Sequence, residues 1–218
     1  MTTTGLNGPT TKTTIAHHLD VATLMSYAAG ALPEALSAVA ALHVSQCPTC
    51  ARELKRMEAI GAAILATANG QAMARPAPVA AMQQTGGDKH VPRRNPMDII
   101  APGGLENVAW RRLGVGIWHA RVPLSPGAKG DLRLIKVAPG RRLPEHGHGG
   151  SEMTVILEGA YTDELGTFRA GDVADLDETI EHRPVADPDV GCICLIAFEE
   201  KARFRGIVPR LVQPLTGM

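Results

Sequence analysis

Between Gly140 and Gly159 two histidines stand one residue apart, His146 and His148, with Glu152 four positions further on. On an extended strand, residues two apart project from the same face, so both imidazoles enter one cavity. The loop after them returns Glu152 to that cavity at the start of the next strand. The surrounding chain supplies the strands, at 116–122, 132–137, 153–158, 166–168 and 192–198. Between them lie Gly- and Pro-rich turns such as Pro123-Leu-Ser-Pro-Gly and Val137-Ala-Pro-Gly-Arg. Short strands at regular spacing with such turns mark a small all-β sandwich or barrel. Aromatic residues make up only 3% of the chain, so its cores must be filled by Ala, Val, Leu, Ile and Met.

The stretch Gly140-Arg-Arg-Leu-Pro-Glu-His146-Gly-His148-Gly-Gly-Ser-Glu152-Met-Thr-Val-Ile-Leu-Glu-Gly159 resembles the first cupin motif at every fixed position. Measured from Gly171, the family's second motif puts His182 at its ligand position, with Asp177 and Thr179 where Pro and Gly are usual and Ala186 where Asn is usual. The resemblance implies a jelly-roll barrel whose metal is held by His146, His148, Glu152 and His182, or one whose site stands vacant. Three histidines and a carboxylate suit Zn, Mn, Fe or Ni, so the ligands alone do not choose the metal. A redox ion with open positions would do oxygenase chemistry, whereas zinc would make a structural or sensing site. Cys192 and Cys194 share one face of an apolar strand. They read either as small core-filling residues or as an oxidation-sensitive pair beside the cavity.

The first third of the chain has helical rather than strand periodicity. A helix is predicted from Asp20, a good N-cap, to Gly30, with Val21, Leu24, Met25 and Ala28 as its buried stripe. A second opens at Pro33 and repeats the pattern with Leu36, Val39, Ala40 and His43, so the His43 imidazole should point inward. After a short break at Val44-Ser45-Gln46, a third runs from about Cys47 to Ala68, with Leu54, Met57, Ile60 and Ile64 as its stripe.

His43-x3-Cys47-x2-Cys50 spans the corner between the second and third helices. A C-x2-C pair at a helix start can place both sulfurs on one tetrahedral ion, and the helix N-terminus should lower the thiol pKa. A structural zinc site wants a fourth ligand, and His17 and His18, just before the first helix, are the candidates. The competing reading is a thiol redox pair beside a core histidine. Against it, a three-helix unit this small gains from a structural ion.

From Asn69 to Asn95 Pro and Gly punctuate a weakly periodic stretch, in which only 79–84 suggests a short helix. The expected organisation is α+β in two domains: a helical zinc-binding domain at 1–85, a linker at 86–100, an all-β cupin barrel at 101–205 and a tail at 206–218. The 218 residues carry 22 basic and 22 acidic side chains. That balance disfavours direct nucleic-acid binding, which would call for a basic excess. No secretory signal opens the chain and no apolar run suffices to span a bilayer, so a cytoplasmic protein away from the membrane is expected. In such a compartment the four cysteines are ligands or thiols rather than disulfides.

A helical His…His-x3-Cys-x2-Cys unit followed by a cupin resembles the ChrR family of zinc-binding anti-sigma factors. The similarity runs from His17 onward and includes His17-His18-Leu-Asp, Leu24-Met-Ser-Tyr27-Ala-Ala-Gly30, the four cupin positions and Cys192-x-Cys194. The resemblance implies His18 rather than His17 as the ligand beside His43, Cys47 and Cys50. It also implies a regulator, not an enzyme. The helical domain would sequester an extracytoplasmic-function (group IV) sigma factor in a one-to-one heterodimer, and the cupin would govern release upon oxidative signals such as singlet oxygen. Zinc would occupy the helical site, and zinc or another divalent metal the barrel. The alternative is a metal-dependent cupin dioxygenase with a helical regulatory appendage.

Overall fold

Asp20 opens the first helix with its own carboxylate, whose Oδ1 accepts the N–H of Ala22. The helix, α1 (Val21–Ala28), stops just before Gly30 at φ +67°. The second, α2 (Glu34–Gln46), buries Leu36, Val39, Ala40 and His43 as its spacing predicts. It runs straight through the expected break at Val44-Ser45-Gln46. The chain turns instead at the extended Cys47, and α3 (Pro48–Thr67) follows at once. The computed structural model describes residues 14–67, 95–147 and 149–199, and the backbone of the two-residue strand Arg203–Phe204. The Thr-rich start, the helix expected at 79–84, His148 and the tail at 206–218 lie outside the described residues.

A short helix, α4 (Pro96–Ile100), is capped by Asn95 and sinks Ile100 into the core. A 3-10 turn at Leu105–Asn107 leads into the strands. In chain order these are β1 (Arg111–Gly114), β2 (Ile117–Arg121), β3 (Asp131–Val137), β4 (His146–Gly147), β5 (Glu152–Asp163), β6 (Gly166–Arg169), β7 (Val173–Leu176), β8 (Glu181–His182), β9 (Val185–Ala186), β10 (Cys192–Phe198) and β11 (Arg203–Phe204). All the pairings are antiparallel. The large sheet is ordered β1-β2-β3-β10-β5-β6, with β7 and β9 also on β5, and a small sheet is ordered β11-β4-β8. The long β5 serves both ends of the barrel: residues 152–159 pair with β10, and 160–163 with β6. Gly159, at φ +70°, lies against the Gly191 carbonyl where any side chain would collide, which accounts for the glycine closing the motif.

Alternation along the central strands builds two cores. Ile135, Val137, Ile156, Tyr161, Cys192 and Cys194 point into the barrel. Leu132, Leu134, Met153, Val155, Leu195 and Ala197 point outward, where Leu36, Val39, Ala40 and Leu42 of α2 cover them. The helical unit and the barrel therefore share one apolar layer.

α2 is the helix seated on the sheet, and α1 and α3 flank it. Their predicted stripes are accordingly only half covered. Leu24 is buried, but Val21 and Met25 on α1 are 58% and 57% exposed, and Ile60, Ile64 and Leu65 on α3 are 60%, 63% and 77% exposed. No helix among the described residues is long and apolar enough to cross a membrane.

Candidate metal centres

Three separate segments deliver His18, His43, Cys47 and Cys50 to one point, where their ligand atoms all lie within 4.8 Å of one another. His43 Nε2 is 3.3 Å from Cys50 Sγ, and His18 Nδ1 is 3.3 Å from Cys47 Sγ. An ion with bonds of about 2.3 Å to sulfur and about 2.0 Å to nitrogen at tetrahedral angles would set N···S at about 3.5 Å, so the four residues fit such an ion. Of the two candidate histidines, His18 joins the cluster. His17 turns away and packs its ring on Phe168 at 4.2 Å between centroids. His18 is exposed whereas the other three are buried, so the centre opens to solvent on one side.

His43 Nδ1 lies 2.9 Å from the carbonyl of Gly171 in the β6–β7 turn. With the proton on Nδ1 it donates to that carbonyl and leaves Nε2 free as a ligand, the arrangement that outer partners impose on metal-binding histidines. Burial pushes its pKa down to about 4, so the ring is neutral at pH 7. The expected lowering of the thiol pKa fails for Cys50, which burial pushes up to about 11, ahead of an opposing backbone hydrogen bond from Leu19. Desolvation outweighs the helix terminus here, and a metal must displace the thiol proton to bind.

The arm carrying His18 is tied to the same turn. Asp172 Oδ1 accepts the N–H groups of Ala16 and His17 at 2.7 and 3.0 Å, and its Oδ2 accepts that of Arg169. Burial alone would raise the Asp172 pKa, but these donors together hold it below the usual carboxylate value. Gly171, at φ +93°, lies so close to Ile15 that an added Cβ would sit 2.8 Å from its Cγ1. Asp172 is a supporting residue that sequence reasoning missed, and Gly171 was read only as a motif position, because their roles arise only where distant segments meet.

In the barrel, His146, Glu152 and His182 bring their ligand atoms within 4.8 Å of one another, all three buried. Their meeting follows from register: His146 faces His182 across β4 and β8, and Glu152 begins β5. His148, the fourth expected ligand, lies outside the described residues. His146 Nδ1 is 2.8 Å from the carbonyl of Pro144, and His182 Nδ1 is 2.8 Å from Asp163 Oδ2, an arrangement that leaves each Nε2 as the atom that could hold a metal. Asp177 replaces the usual proline turn by accepting the N–H of Thr179 at 2.8 Å, so the His182 loop is closed by different chemistry. The three groups face a cavity of about 50 Å³, whose wall includes Tyr161, Cys192 and Cys194. Neither cysteine is in a disulfide. Cys194 is held well above the usual thiol pKa by its hydrogen bond with Cys192 and by burial.

Comparison with known proteins bears on both halves. Residues 103–202 match the ChrR Cupin-like domain family. The anti-sigma-E factor ChrR of Cereibacter sphaeroides is 37% identical over 212 residues, spanning 92% of this chain and 98% of that protein. The crystal structure of Rhodobacter sphaeroides SigE in complex with the anti-sigma ChrR superposes with a TM-score of 0.71 at 37% identity, covering 85% of this chain and 99% of that one. With helices and barrel alike accounted for, the chain belongs to the ChrR family of anti-sigma factors.

Proposed function

We propose that this protein sequesters an extracytoplasmic-function (group IV) sigma factor in a one-to-one complex in the cytoplasm and releases it upon oxidative stress, singlet oxygen included. The observation that carries this reading is the convergence of His18, His43, Cys47 and Cys50 in a chain whose relatives are named an anti-sigma-E factor and, in the crystal structure, an anti-sigma in complex with SigE. Zinc is the ion we assign to that centre, since two sulfurs and two imidazoles at those separations suit it. By cross-linking the arm before α1 to the α2–α3 corner, it would fix the relative placement of the three helices. The uncovered side chains of Val21, Met25, Ile60, Ile64 and Leu65 then supply an apolar surface of the kind that a protein partner covers.

The barrel centre we assign to a divalent metal, held by His146, Glu152 and His182 together with His148, in a sensing rather than catalytic role. Ligand-binding pockets usually enclose about 300–1,000 Å³. A cavity of about 50 Å³ is well below that range and has room for a few water-sized species. We further propose that residues 1–85 suffice to hold the sigma factor, that 86–100 link them to the barrel, and that 101–205 confer the response.

Co-expression with the small sigma factor encoded nearest the gene tests the reading. A stable one-to-one complex on gel filtration, lost in Cys47→Ser, is the expected result. If the zinc-loaded chain binds no such sigma factor, and iron in the barrel instead supports turnover abolished by His146→Ala, the reading is overturned in favour of a dioxygenase.

A further inference from the structure

Two metal centres in one chain invite the question of how either could sense the other, and an unbroken row of rings runs between them. We infer that Tyr161, Phe168 and His17 are positioning residues that couple the barrel cavity to the helical metal centre. The inference rests on the two-metal reading above but not on the identity of the partner protein.

The row starts inside the barrel. Tyr161 on β5 lines the cavity with His146, Glu152 and His182, and its buried hydroxyl has no hydrogen-bond partner among the described residues. A buried hydroxyl without a partner is held only by the packing of its ring, so whatever enters the cavity can recruit it. Directly across the β5–β6 ladder stands Phe168, stacked on Tyr161 at 4.9 Å with 24° between the planes. Phe168 in turn packs on His17 at 4.2 Å.

The next residue after His17 is His18, one of the four that form the helical centre. Both neighbours of that link are fixed to the barrel. The main chain of Ala16 and His17 is clamped by Asp172, and His17 Nδ1 stands 3.3 Å from Asp172 Oδ2, a close electrostatic contact. The adjacent Gly171 carbonyl orients His43. A single barrel turn thus sets two of the four ligand arms, and the Phe168 ring supports one of them from below. Close-packed interiors transmit a displacement instead of absorbing it. A change at the cavity that moves Tyr161 must therefore shift Phe168, and with it the seat of the arm that presents His18.

Coupling of this sort is reciprocal and measurable without any partner protein. The full-length chain is loaded with cobalt(II), and the cobalt–thiolate absorption of the helical centre, identified by its loss in Cys47→Ser, is followed as a chelator removes the metal. Emptying the barrel through His182→Ala should change the cobalt affinity of the helical centre, read from the chelator concentration that half-empties it, at least fivefold, within the usual range for linked sites. In Phe168→Leu the same comparison should give less than a twofold change, although each centre still takes up its ion. His17→Ala, whose side chain is one-third exposed and leaves no core hole, should collapse the ratio in the same way and serves if Phe168→Leu does not fold. A purely structural role for the rings would lower the melting temperature while preserving the fivefold ratio. That outcome, or a wild-type ratio near one, overturns the inference. Sigma-factor binding, scored separately, decides only the proposed function.

Discussion

Asp163 offers the sharpest test of the barrel centre, because nothing in its local sequence announces a role. Its Oδ2 lies 2.8 Å from His182 Nδ1 and its Oδ1 accepts the N–H of Leu165, so one carboxylate both holds the His182 ring and closes the β5–β6 hairpin. The side chain is fully shielded from solvent. Replacing it with leucine leaves the His182 ring free to rotate or to change tautomer, since the carboxylate oxygen that holds Nδ1 is gone. Loss of such an outer partner typically weakens metal binding about 10–100-fold, or about 1.4–2.7 kcal/mol. Losing the turn hydrogen bond should lower fold stability by about a further 1 kcal/mol. Asp163→Asn can satisfy only one of the two donors with its single oxygen and should fall between wild type and Asp163→Leu. Competition against a chromogenic chelator, with the helical centre disabled by Cys47→Ser, isolates the barrel affinity. If Asp163→Leu binds metal within twofold of the Cys47→Ser parent, the orienting role assigned to Asp163 is wrong.

Other outcomes can be checked more briefly. Gly171→Ala forces a side chain into the left-handed region and against Ile15; it should lose about 1–2 kcal/mol in urea unfolding and release metal faster from the helical centre. Unchanged stability would remove the turn from the account. Asp172 has a lowered pKa in the fold, so its contribution is complete above its ordinary value of 3.8 and is lost as the pH falls through the lower folded value. In metal-free protein the destabilisation caused by Asp172→Asn should therefore be largest near neutrality and shrink in acid; a penalty that grew on acidification would contradict the assignment. Ile64→Asp should weaken sigma-factor binding at least tenfold while the chain's own stability stays within about 0.5 kcal/mol, since the residue is 63% exposed and unsupported. Equal binding would place the partner elsewhere.

Much of the architecture was legible because its signals are local. Asp20 and Gly30 bracket α1, the 192–198 run became β10 to the residue, and the helical spacing of the α2 stripe foretold that His43 points inward. What stayed hidden depends on contacts across the chain. The stripe of α3 reads as core from its period alone, yet none of the described residues covers its second half, where Ile60 and Ile64 are exposed. Strands of two residues such as β4 and β8 have no periodicity to detect; only their mutual register, which sets His146 opposite His182, gives them meaning. The residues themselves left His17 and His18 open and only the family resemblance picked His18; the contacts that turn His17 away, from Phe168 and Asp172, lie over 150 residues off. The Cys50 pKa went the other way from the local rule because burial, a tertiary quantity, outweighed a helix terminus.

Competition for the sigma factor itself addresses the central claim most directly. A fluorescent extracytoplasmic-function sigma factor is bound to core RNA polymerase and titrated with the zinc-loaded chain while its anisotropy is recorded. The account requires that one equivalent strip the sigma factor from polymerase, and that the Cys47→Ser variant strip none. Polymerase that keeps its sigma factor in the presence of excess zinc-loaded protein would contradict it.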